Sequence, residues 1–149
     1  MFQTSKVLPY PADFLKEIVA DVESYPQFLP WVKAVAIYPN NPEFFEADLT
    51  IGYGLLEKTY RSEVFIYSDS VEAKAISNNI FKFLETRWQF TAREDKCCLI
   101  NLTIDFQLQS QLLQLTVGKM LDDAANKMIA AFEQRAAILW ESATQDEYK

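Results

Sequence analysis

The 149-residue chain contains no histidine, so it lacks the commonest general base, nucleophile activator and transition-metal ligand. Most simple hydrolase and zinc-site chemistries are excluded on that ground. Acid or base work falls to carboxylates, and the strand pattern places these mostly at outward positions. Cys97 and Cys98 are adjacent on a strand-like run, where they point to opposite faces and cannot form an ordinary structural disulfide. They suggest a reducing compartment. What remains is a chemistry of rings. Ala20 to Trp31, ADVESYPQFLPW, ends a helix with acids and then clusters aromatics and prolines. Pro26 and Pro30 bracket Phe28 and Leu29, and each pushes the residue before it toward extended geometry, so a stiff turn should aim Phe28 and Trp31 at one place. Two readings stay open: these rings wall or lid a site, or they close off a core.

The elements that position these residues follow from periodicity. A strand is expected at Gln3 to Pro9, and a helix at Pro11 to Val22 with Phe14, Ile18 and Val22 on one face. Val32 to Tyr38 reads as a strand, stopped by the turn residues of Pro39 to Pro42. Phe44 to Gly52 alternates Phe45, Ala47, Leu49 and Ile51 against Glu46, Asp48 and Thr50. Glu57 to Tyr67 sets Tyr60, Ser62, Val64 and Ile66 against Arg61 and Glu63. Further strands are expected at Val71 to Ser77, Lys82 to Ala92 and Cys97 to Leu108, the last with Ile100, Leu102, Ile104, Phe106 and Leu108 on one face.

From Ser110, a plausible N-cap, to about Trp140 the period becomes helical, with Leu113, Val117, Met120, Leu121, Ala124, Met128, Phe132 and Leu139 in one stripe. One helix of roughly 45 Å is expected, followed by a polar tail, 142–149, that frays. Residues 1–141 then form a single domain of α+β class. A curved antiparallel sheet of six to seven strands with one apolar face, and one helix with one apolar stripe, must cover each other. Methionines and small residues in the stripe, Met120, Met128, Gly118, Ala124 and Ala131, suit irregular filling and an apolar space beneath the helix.

A net charge of −7 argues against a broad phosphate-gripping surface, so no DNA partner is expected. No apolar run reaches the roughly 18 to 20 residues that span a bilayer, and the N-terminus lacks a charged-then-apolar signal. A cytoplasmic protein is expected, with peripheral contact at the inner membrane.

The order of elements, with ADVESYPQFLPW, IGYGLLEKTYRSEV at Ile51 to Val64, IFKFLETRWQF at Ile80 to Phe90, DFQLQSQLL at Asp105 to Leu113 and FEQRAAIL at Phe132 to Leu139, resembles the coenzyme Q-binding proteins of the START-like superfamily. The resemblance covers nearly the whole chain. Tyr25, Pro26, Phe28, Pro30 and Trp31 match the first motif, Gly52, Glu57, Tyr60, Ser62 and Val64 the second, and Phe81, Leu84, Trp88 and Phe90 the third. Leu108 stands where an aromatic is expected, and no counterpart of the mitochondrial members' transit peptide is expected.

The resemblance implies a helix-grip fold with a hydrophobic cavity between sheet and C-terminal helix. It implies ubiquinone binding in support of respiratory electron transport, without catalysis, metal or further cofactor. The ligand-binding residues expected on this basis are Phe28, Trp31, Tyr60, Ser62, Val64, Leu84, Trp88, Phe106, Val117, Met120 and Met128. Tyr60, Ser62 and Trp88 offer donors to the acceptor-rich quinone head. Phe28 and Trp31 are expected at a cavity mouth that touches the bilayer transiently.

Bacterial relatives of this family are also described as ribosome-association toxins, so a ribosomal subunit is the alternative partner. START-like relatives further include polyketide cyclases and dehydratases. For such an enzyme Glu57 is the best candidate, with Arg61 on the same strand face as its expected ion-pair partner.

Overall fold

Seven segments in which apolar residues alternate with polar ones become strands in the computed structural model: β1 Phe2–Leu8, β2 Val32–Tyr38, β3 Phe45–Tyr53, β4 Leu56–Ile66, β5 Ser70–Ala75, β6 Phe81–Arg93 and β7 Cys97–Leu108. Among the described residues three α-helices accompany them: α1 Ala12–Ala20, α2 Gln111–Asp122 and α3 Ala124–Glu147. The structure describes residues 1–39, 41–53, 55–76 and 78–147, with the side chains at 53, 56, 116, 117, 119, 120, 122 and 145–147 outside the description.

The strands form one antiparallel sheet in the order β1-β7-β6-β5-β4-β3-β2. Its apolar face meets α1 and α3. From the sheet come Val64, Trp88, Phe90, Ile100 and Leu102, and from α3 Ala125, Ile129, Phe132 and Ala136, all buried. Each apolar face thus removes the other from water, which is what a one-faced sheet and an amphipathic helix require.

Three departures from strict periodicity shape the interior. The register between β6 and β7 shifts between Phe81 and Phe83. The extra residue, Lys82, is exposed and brings Phe81 onto the same inner face as Leu84, positions that a period of two would separate. Residues 22–27 wind into a 3-10 helix that includes Pro26, so Tyr25 is drawn into a helical turn rather than the extended geometry expected before a proline.

The third is the long C-terminal helix, which is two helices. Asp123 leaves helical geometry at φ −121°, ψ 18°. Its carboxylate accepts from Asn126 Nδ2 at 2.9 Å and its carbonyl accepts from the Lys127 amide at 3.1 Å. Aspartate favours such a junction because its short carboxylate competes for local donors. Ser110 caps α2, its Oγ accepting from the Leu113 amide at 3.2 Å. α3 continues through Glu147, so the polar segment expected to fray is helical up to that residue.

Candidate functional site

β4 is central to the inner surface. Its alternation turns Tyr60, Ser62 and Val64 inward, opposite Leu49, Ala47 and Phe45 of β3, and turns Arg61 and Glu63 outward. Between this part of the sheet and the α2–α3 junction lies a partly open cavity of about 160 Å³. Leu121, Ala124 and Met128 cover it from the helix side, straddling the break at Asp123. The lining holds no carboxylate, amine, guanidinium or thiol among the described residues.

Seven of the expected ligand-binding residues come together in this wall: Trp31, Tyr60, Ser62 and Val64 near β3 and β4, Leu84 and Trp88 on β6, and Met128 on α3. Phe28 is not in the lining. Its ring packs against Phe132 (5.1 Å between centroids) and Tyr25 (5.9 Å), with the Arg135 guanidinium 5.2 Å from its centre. Phe28 is half-buried, with a ring and a cation of α3 packed on it. Phe106 also lies outside the wall, stacked on Phe2 at 5.8 Å and edge-on to Phe81. Val117 and Met120 lie outside the described side chains.

Other wall residues escaped the sequence reading although a signal existed. Leu49 and Ile51 follow the inward alternation of β3, and Thr86 sits between Leu84 and Trp88 on the inward parity of β6. Leu121 and Ala124 belong to the helical stripe already recognised.

The polar groups of the wall are few and distinct. Tyr25 donates its hydroxyl proton to the Val19 carbonyl. Burial, then the Asp21 carboxylate, then neighbouring Tyr60 hold the Tyr25 phenol far above the ordinary value. Burial alone pushes Tyr60 up to about 12, so both rings stay neutral at physiological pH. Neither the Tyr60 nor the Ser62 hydroxyl has a hydrogen bond within the protein among the described residues. No buried polar side-chain atom there is both sealed off and unpartnered. Ser62 is only 4% exposed, so the space its hydroxyl opens onto is the cavity.

The outward face behaves differently. Arg61 does not pair with Glu57. It grips Asp48 through Nε–Oδ1 at 2.8 Å and Nη2–Oδ2 at 3.1 Å, reaches Glu46 at 3.4 Å, and lies 4.7 Å from the Tyr38 ring centre. Adjacent strands supply these partners because Asp48 and Arg61 are directly opposed in the β3–β4 register. Glu57 is exposed, opposite Gly52.

A family described as polyketide cyclase/dehydrase and lipid transport matches residues 8–133. The chain belongs to this family. It is 37% identical over 139 residues to the ribosome association toxin RatA of Pseudomonas aeruginosa, covering 93% of this chain and 96% of that protein. It is 28% identical over 144 residues to a mitochondrial coenzyme Q-binding protein homolog of Xenopus laevis, covering 93% of this chain and 59% of that one. The crystal structure of an aromatase/cyclase from Streptomyces sp. R1128 superposes with a TM-score of 0.81 at 14% identity, over 91% of this chain and 92% of that one. That likeness establishes the helix-grip, START-like fold and extends no further.

Proposed function

We propose that the protein binds a polyprenyl quinone of the ubiquinone class in the cavity between sheet and helices, without catalysing a reaction on it. The observation that carries this reading is an apolar wall, free of charge among the described residues, into which Tyr60 and Ser62 direct hydroxyls that none of those residues partners. Apolar walls with a few placed polar groups are the usual form of a small-molecule site. A cavity near 150 Å³ holds a single ring such as benzene, so 160 Å³ suits a quinone head or a short isoprenoid stretch. The rest of the tail leaves through the opening. Each ~100 Å² of tail removed from water contributes roughly 2.5 kcal/mol before association costs. Acid–base catalysis finds little support, since among the described residues the titratable groups in the wall are two neutral phenols.

In this reading the protein carries or presents quinone while touching a membrane peripherally. No helix among the described residues is long and apolar enough to cross one. Lipid extracted from the purified protein tests the reading by mass spectrometry. Ubiquinone is expected in the wild type and absent from Val64→Lys, which places a charge in the wall. A wild type that carries no quinone and takes up none when offered it would overturn the reading.

The 37% identity to a ribosome association toxin along nearly its whole length supports a second reading, contact with a ribosomal subunit. Co-sedimentation with ribosomal subunits over a salt series tests it. A steep salt dependence retained when the cavity is filled by Ala73→Phe is the expected result, and absence of co-sedimentation at low salt would dismiss it.

A further inference from the structure

Tyr25 and Tyr60 share the cavity wall, and their polar capacities are complementary. The Tyr25 hydroxyl has one proton, and it goes to the Val19 carbonyl. Only lone pairs remain on that oxygen for anything else. Tyr60 has made no such commitment among the described residues, so it can both donate and accept. Tyr60 is near enough to raise the cost of ionising Tyr25, yet no hydrogen bond joins the two hydroxyls among the described residues. An oxygen that bridges them accepts from Tyr60 and donates to Tyr25.

A ring hydroxyl meets both demands, whereas a quinone carbonyl meets only the first. A carbonyl in that place would oppose its own lone pairs to those of Tyr25, leaving two desolvated acceptors facing each other. Building on the quinone-binding reading, we infer that the Tyr25–Tyr60 pair reads the oxidation state of the bound ring and favours a ring that bears a hydroxyl, as in a hydroquinone or a phenol, over the oxidised quinone. Ser62 does not discriminate, because its hydroxyl, uncommitted among the described residues, can donate to either form. One neutral hydrogen bond is worth about tenfold in affinity. For the two-electron, two-proton couple a tenfold preference for the reduced ring raises the bound midpoint potential by about 30 mV.

The test uses three ligands with the same two-isoprene tail: the benzoquinone, its hydroquinone and the phenol with a single ring hydroxyl. Each is titrated anaerobically against the full-length protein, with the fluorescence of the wall residues Trp31 and Trp88 as the signal. Hydroquinone and phenol are expected to bind about tenfold more tightly than the quinone. Tyr60→Phe should weaken all three, and Tyr25→Phe should bring the three affinities together. Tyr25→Phe also cuts the tie to Val19, so if that variant fails to fold, the wild-type ratio and Tyr60→Phe decide the matter. A quinone that binds as tightly as the hydroquinone overturns this inference and leaves the quinone-binding reading standing. A phenol that follows the quinone overturns the single bridging hydroxyl. Failure of all three to bind overturns the quinone-binding reading itself.

Discussion

Trp88 of β6 and Phe132 of α3 meet edge to face, with ring centroids 4.8 Å apart. The Phe132 ring also takes Tyr25 and Phe28 edge-on at 5.4 and 5.1 Å, so one side chain joins the sheet, the 3-10 turn and the last helix. Trp88 shows another part of its surface to the cavity. The contact that fixes α3 on the sheet is therefore also the contact that sets one wall of the site.

Phe132→Ala should destabilise the fold by about 3–5 kcal/mol, the usual cost of deleting a buried phenyl ring. Urea unfolding followed by far-ultraviolet circular dichroism measures it. A cost under about 1 kcal/mol would show that the sheet and α3 are held together elsewhere.

Alkaline pH probes the two cavity phenols. Tyr60 is raised to about 12 and Tyr25 is raised further in the folded state, against about 10 unfolded. Their contribution to stability is fully present below pH 10 and is lost as pH rises through the folded values. Tyrosinate absorbance should show Tyr25 and Tyr60 ionising above the ordinary value, and Tyr60→Phe should remove one tyrosine from that late fraction.

Acid pH probes the outer face. The Arg61 hydrogen bond holds the Asp48 carboxyl below the ordinary range. A depressed carboxyl stabilises the fold above its unfolded value of about 3.9 and ceases to do so as pH falls through the folded value. Asp48→Asn should therefore lower the melting temperature at pH 7 and have less effect near pH 2. An equal drop at both values would show that packing, not charge, is what Asp48 supplies.

The Ser110 cap holds the start of α2. Ser110→Ala should cost about 1 kcal/mol, and hydrogen exchange should show faster turnover at the amides of 111–114 with β7 unchanged. Unaltered exchange in that turn would mean that α2 is held by its packing alone.

The inward alternation of β3, β4 and β7 was legible because period-two burial depends on side-chain type alone, and it placed Tyr60, Ser62 and Val64 correctly on one face. The Phe81–Leu84 juxtaposition was not, since one bulged residue, Lys82, reverses parity without changing composition. The break at Asp123 was hidden by an apolar stripe whose spacing runs unbroken from Leu113 to Leu139, and Asp123 itself was the one local signal of it. Phe28 lies in a sequence equally suited to a lid or a core, and only the approach of Phe132 and Arg135 from a remote helix decides its surroundings.

Direct titration with a short-tailed ubiquinone is the measurement closest to the central claim. Two of the three tryptophans, Trp31 and Trp88, line the cavity, while Trp140 packs with Tyr10 and Phe14. Saturable quenching at one ligand per chain is expected, retained in Trp140→Phe and abolished in Ala73→Phe, which puts a ring into the cavity. Absence of saturable quenching, or quenching unchanged by Ala73→Phe, would contradict a quinone site between the sheet and the helices.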